Sequence, residues 1–131
     1  MADVLPLAVR ACGSGAVVVE LTGELDIATA PSLSAVLSDL RLRSARPGLL
    51  VLLDLSRLDF CDISGLRAMT CAGRRLAERG ARLALVAPPR NFMRLLKAAQ
   101  LSGYFEVLPS LPAAGKEAPA KELVRTGAGS A

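Results

Sequence analysis

The chain has 131 residues, enough for one domain with a single sizeable core, and 52% of them are apolar while only 3% are aromatic. Its net charge of +4 comes mainly from arginines spread over several predicted helices, and without tryptophan it lacks a basic-aromatic platform for stacking nucleotides, so nucleic acid is not an expected partner. No apolar run has the length of a membrane span, and Met1-Ala2-Asp3-Val4 is not a basic region leading into an apolar stretch; a cytoplasmic protein with no direct membrane insertion is expected.

Leu5 to Arg10 reads as an edge strand, a position where Pro6 is tolerated. A turn at Gly13-Ser14-Gly15 joins it to Ala16–Thr22, a β-branched run, and the two form a predicted hairpin. Gly23-Glu24-Leu25-Asp26 leads to Thr29-Ala30-Pro31, a helix start with proline in the first turn. Leu33, Val36, Leu37 and Leu40 then follow at i, i+3, i+4 and i+7, an amphipathic stripe that Pro47-Gly48 ends. Leu49–Leu55 is apolar on both faces, as a central strand should be.

A short loop from Leu58 to Cys61 empties onto a second helix that starts at Asp62. Ile63, Leu66, Met69, Thr70, Gly73 and Leu76 mark its buried side; Arg67, Cys71, Arg74, Arg75 and Glu78 fall opposite, and Gly80 is placed to cap its end. Arg82–Ala87 is a short strand ended by Pro88-Pro89. Phe92, Leu95, Leu96 and Ala99 repeat the helical stripe, Gly103 stops it, and Tyr104–Leu108 is a final edge strand. From Pro112 the composition shifts to Ala, Pro, Gly, Lys and Glu, so residues 1–111 form the domain and 112–131 a flexible tail with a short helix near 120–124. Helices alternating with strands imply an α/β domain with a mixed, mostly parallel sheet of about five strands and helices largely on one face.

The chemistry concentrates at Asp62-Ile63-Ser64-Gly65. An acid, a hydroxyl and a glycine share the first turn of a helix, where unpaired N–H groups and partial positive charge stabilise anions. A hydroxyl there can hold a phosphate, and its gain or loss changes the local charge by nearly two units, which suits a switch or docking site. Catalysis is not expected. There is no histidine to serve a serine nucleophile, Asp59 and Asp62 read as loop and capping residues, and Gly13-Ser14-Gly15 is too short to cradle phosphate. Cys12, Cys61 and Cys71 are an odd set without metal-ligand spacing; reduced thiols, no metal and no cofactor are expected.

Two stretches, Gly23-Glu24-Leu25-Asp26-Ile27-Ala28-Thr29-Ala30-Pro31 and Leu53-Asp54-Leu55-Ser56-Arg57-Leu58-Asp59-Phe60-Cys61-Asp62-Ile63-Ser64-Gly65-Leu66, resemble the STAS domain family and are most similar to bacterial anti-sigma factor antagonists. The resemblance spans residues 4–110. It implies a STAS-like fold and a partner-switching regulator of transcription. The unmodified antagonist binds an anti-sigma factor that is also a serine kinase and frees a sigma factor; phosphorylation at the helix start dissociates the complex, and a phosphatase resets it. A free antagonist of this kind is expected to be a monomer. A stand-alone STAS domain that senses a small ligand, or serves as a subunit of a membrane transport system, is the alternative.

One departure stands out. The family's motif usually reads Asp-Ser-Ser-Gly-Leu or Asp-Ser-Thr-Gly-Leu, with phosphate on the hydroxyl directly after the aspartate; here that position is Ile63, and Ser64 matches the second hydroxyl. Either Ser64 has become the acceptor or kinase control has been lost. The resemblance implies a partner surface of Asp26, Asp62, Ile63, Ser64, Gly65 and Arg67. Each has a plainer role: Asp62 as N-cap, Ser64 as a polar first-turn residue, Gly65 as a point of close approach, Asp26 as a loop carboxylate. Cys61 and Cys71 raise the further alternative of redox control, against inert thiols.

Overall fold

Alternating apolar residues bring the strands together in a computed structural model that describes residues 5–12, 15–44, 46–112 and 122–125. The strands are β1 (Leu7–Cys12), β2 (Ala16–Leu25), β3 (Leu50–Cys61), β4 (Arg82–Val86), β5 (Glu106–Leu108) and β6 (Glu122–Arg125); the helices are α1 (Ala30–Arg43), α2 (Ile63–Ala77) and α3 (Arg90–Ala98). They form one sheet in the order β5-β4-β3-β2-β1-β6. β2, β3, β4 and β5 run parallel, whereas β1 is antiparallel to both β2 and β6.

The period of a strand sorts the core into two faces. Val17, Val19, Leu21, Val51, Leu53, Leu55, Leu83 and Leu85 meet the apolar stripes of all three helices, including Leu33, Leu37, Leu66, Met69, Phe92 and Leu96. Their intervening neighbours Val18, Leu52, Ala84 and Val86 are buried with Cys12 in a smaller cluster, against which Leu50, Leu108 and Leu111 pack. This accounts for a β3 that is apolar on both sides. The expected mixed, mostly parallel sheet with helices on one face is the observed architecture.

Three boundaries differ from the sequence reading. β2 runs on to Leu25 and β3 to Cys61, so the stretch read as a loop is paired strand: Thr22 lies opposite Arg57, Gly23 opposite Leu58, Glu24 opposite Phe60 and Leu25 opposite Cys61. Two register shifts, between Glu20 and Thr22 and between Gly23 and Glu24, break the alternation that marks a strand. Asp54 accepts from the Ser56 backbone N–H at 3.0 Å beside the first shift, and Gly23 takes φ +97° at the second.

β1 is the second difference, since it is not an edge strand. Its outer side pairs with β6, which lies where a short helix was expected. A lone four-residue segment cannot sustain helix nucleation, while the free edge of β1 offers unpaired backbone groups. The rest of the expected tail, residues 113–121 and 126–131, lies outside the described residues. Thirdly, α3 ends at Ala98, ahead of the stop expected at Gly103. Among the described residues, no helix is long and apolar enough to cross a membrane.

Candidate docking surface

Parallel strands deliver their following loops to one end of the sheet, and the residues of interest collect there. β2 and β3 finish side by side, with the Asp62 N–H donating to the Leu25 carbonyl at 3.1 Å. The β2–α1 loop and the β3–α2 turn therefore leave the sheet as neighbours. α3 also begins at this end, tied down by Asn91 Nδ2 donating to the Asp59 carbonyl at 3.1 Å.

Asp62 is in extended conformation and caps α2: its Oδ1 accepts from the backbone N–H of Ser64 at 2.8 Å and of Gly65 at 3.2 Å. The capping role is thus met, and two first-turn donors are satisfied by a carboxylate. Gly65 is required by packing. A Cβ there would lie 2.5 Å from Leu25 Cγ and 2.9 Å from Cys61 Sγ, both buried side chains. α2 can approach the sheet this closely only at a glycine.

Asp26 organises the adjacent loop. Its Oδ1 accepts from the backbone N–H of Ala28 at 3.0 Å and of Thr29 at 3.1 Å, while Thr29 Oγ1 accepts from the Asp26 N–H at 2.9 Å and donates to the Glu24 carbonyl at 2.8 Å. Thr29, expected to mark the helix start, occupies the N-cap position, yet its hydroxyl serves this loop and makes no cap bond. The result is a rigid turn that holds Ile27 in solvent at 78% exposure.

Ile27 has company. Phe60 is 47% exposed at the same end, and so, at 51%, is Ile63, which was expected on the buried side of α2 but sits at its first position, ahead of where the helix meets the sheet; Met93 of α3 is also exposed. Ser64, by contrast, is half-buried. Arg67 is exposed one turn along α2, where it lines a shallow groove with Ile63, Leu66, Thr70, Ala99 and Leu101. Asp26, Asp62, Ile63, Ser64, Gly65 and Arg67 thus belong to one end of the molecule. The chain's sequence alone did not single out Ile27, Phe60 and Met93 as part of it; only an apolar residue beside a turn acid hinted at Ile27.

Cys61 lies under this surface, its Sγ 3.3 Å from the Asp62 carbonyl oxygen. Burial, reinforced by the Asp62 carboxylate, pushes its thiol up to about 12 from an ordinary 9.0. The thiol stays neutral at physiological pH and is a poor nucleophile. At pH 8, iodoacetamide is expected to alkylate half-buried Cys71 in the native protein and to reach Cys61 only after unfolding, as peptide mass mapping would show. The linkage has a definite sign: a thiol pKa raised in the folded state favours folding below pH 9, and that contribution fades as pH rises from 9 toward 12.

The family model described as Mlab, STAS domain matches residues 10–110. No curated protein matches the chain significantly. Among solved structures, an anti-sigma factor antagonist from Mycobacterium paratuberculosis superposes with a TM-score of 0.72 at 24% identity, covering 84% of this chain and 90% of that one. The Bacillus cell fate determinant SpoIIAA in its phosphorylated form gives a TM-score of 0.60 at 20% identity, over 77% and 89% of the two chains. The murine Solute Carrier 26 family member A9 anion transporter gives 0.63 at 14% identity, covering 81% of this chain but 21% of the transporter.

Proposed function

Because the chain belongs to the Mlab, STAS domain family, we propose that it is an anti-sigma factor antagonist, a binding module that docks on an anti-sigma factor of the serine-kinase type and so frees a sigma factor. The observation that supports this reading is that three large apolar side chains, Ile27, Phe60 and Ile63, are exposed at the end of the sheet where the capped first turn of α2 begins. Exposed large apolar side chains grouped on rigid supports are what a protein–protein contact requires, and a patch rimmed by Asp26, Asp62 and Arg67 gives it polar edges.

The same geometry bears on control. The position after the Asp62 cap points a side chain into solvent, where a kinase can reach it, but Ile63 offers no hydroxyl. Ser64 carries the hydroxyl but is half-buried on the turn. In this reading the antagonist binds without release by phosphorylation, and no phosphatase is needed to restore it.

A second reading draws on the similarity to an anion transporter. A STAS domain can serve a membrane transport system as a subunit, and this chain would then need a separate membrane partner. Affinity capture from the native cell separates the two. Recovery of a histidine-kinase-like ATPase that inhibits a sigma factor supports the antagonist; recovery of transporter subunits overturns it in favour of the alternative.

A further inference from the structure

The two large helices carry a charge pattern of which the docking surface uses only Arg67. α1 and α2 hold five arginines, Arg41, Arg43, Arg67, Arg74 and Arg75, against a single acid, Asp39. That acid is already taken by Arg43 at 2.8 Å. Where the helices pack side by side, a cleft opens between them. Ser34, Ser38 and Arg41 line it from α1; Cys71 and Arg75 line it from α2, over an apolar floor of Leu37, Ala68 and Ala72. Among the described residues, no carboxylate lines it.

Arg41, which lines this cleft, is not fully satisfied within the chain. Its Nε is enclosed and has no hydrogen-bond partner among the described residues, while the side chain as a whole is half-buried. A charged donor removed from water without an acceptor is costly, so native structures nearly always satisfy it. We propose that the cleft between α1 and α2 binds a phosphate group, either free phosphate or a small phosphate monoester, with Arg41 and Arg75 as its charge partners and Ser34 and Ser38 as hydroxyl donors. Donors that come from two helices and from both sides of a cleft suit a tetrahedral anion with several acceptor oxygens better than a flat carboxylate. The C-terminal helix ends lie on the arginine side and oppose an anion, but each amounts to about half a charge against a full guanidinium charge on each helix.

The site is separate from the docking turn. Cys71 lies about 10 Å along α2 from Ser64, at 1.5 Å per residue. It does not rest on the antagonist reading and can succeed or fail without it.

Inorganic phosphate is the direct probe, titrated into the isotope-labelled full chain at constant ionic strength and followed by amide chemical shifts. Saturable shifts are expected at Ser34, Ser38, Cys71 and Arg75, together with slower alkylation of Cys71 as the cleft fills. Arg75→Gln, an exposed position that leaves the fold intact, should weaken binding at least tenfold, and Arg41→Gln should do the same. A sugar phosphate that binds more tightly than inorganic phosphate would identify a monoester as the ligand; equal or weaker binding would identify free phosphate. Linear, unsaturable shifts, shifts confined to Ser64 and Gly65 at the start of α2, or wild-type affinity in Arg75→Gln would each overturn the proposal.

Discussion

Alanine at Gly65 lowers the thermal midpoint by roughly 10 °C, whereas alanine at Gly73, about two turns further along α2, leaves it unchanged or raises it. Both substitutions make the same chemical change in the same helix, and both gain up to about 1 kcal/mol of helix propensity. The surroundings decide the sign. At Gly65 the new methyl would sit 2.5 and 2.7 Å from Leu25 Cγ and Cδ2 and 2.9 Å from Cys61 Sγ. Leu25 is fully buried at the end of β2 and cannot swing aside, so the clash is relieved only by lifting α2 off the sheet, at about 1–3 kcal/mol or more. At Gly73 the methyl would meet Leu83 Cδ2 at 3.4 Å, an ordinary contact. Thermal unfolding of the two variants side by side checks this. Equal effects would mean that α2 does not approach β2 and β3 as closely as described.

If the proposed function holds and Ile63 has removed kinase control, serine at Ile63 should restore it. The side chain is exposed, so the substitution costs the fold little, and it places a hydroxyl directly after the Asp62 cap. A phosphate added there stays within reach of the helix N-terminus but brings nearly two negative charges to the partner surface. Loss of docking by about a hundredfold is expected on incubation of Ile63→Ser with its kinase partner and ATP, a desolvation and repulsion cost of roughly 3 kcal/mol. Wild type and Ser64→Ala should bind equally before and after the same treatment, with unchanged intact mass. A phosphate mapped to Ser64 in the wild type would show that the acceptor has moved by one residue and that the switch survives.

The parts of this molecule that could be read from its sequence are those where one period runs unbroken. The stripe Leu33, Val36, Leu37, Leu40 and the run Leu49–Leu55 are each consistent over their length, and helix and strand follow directly. The end of β3 was illegible because two register shifts set Ser56, Arg57, Asp59 and Phe60 out of step, so polar and apolar residues no longer alternate with face. β6 was illegible for another reason: four residues find their structure in the free edge of β1, more than a hundred residues earlier in the chain.

The candidate site divides the same way. Asp62 as a cap and Gly65 as a close approach are local facts, and motif and spacing carry them. Ile27 is different. Its exposure depends on Asp26 and Thr29 locking the loop, and its place at the same end as Phe60 and Ile63 depends on β2 and β3 ending in register at Leu25 and Cys61. Neither is visible in a linear pattern, where an isoleucine reads first as core.

Displacement of a sigma factor is the most direct test of the account. A preformed complex of the captured anti-sigma factor with its sigma factor is titrated with wild-type protein and with Ile63→Asp, and free sigma factor is measured. Ile63→Asp keeps an exposed position and adds an acid to a helix's first turn, which the fold accepts, but it sets a charge in the apolar contact. The account predicts that the wild type releases sigma factor while Ile63→Asp needs at least thirtyfold more protein, the loss of a contact worth about 2 kcal/mol. Release by Ile63→Asp at the wild-type concentration, or no release by the wild type, would contradict it.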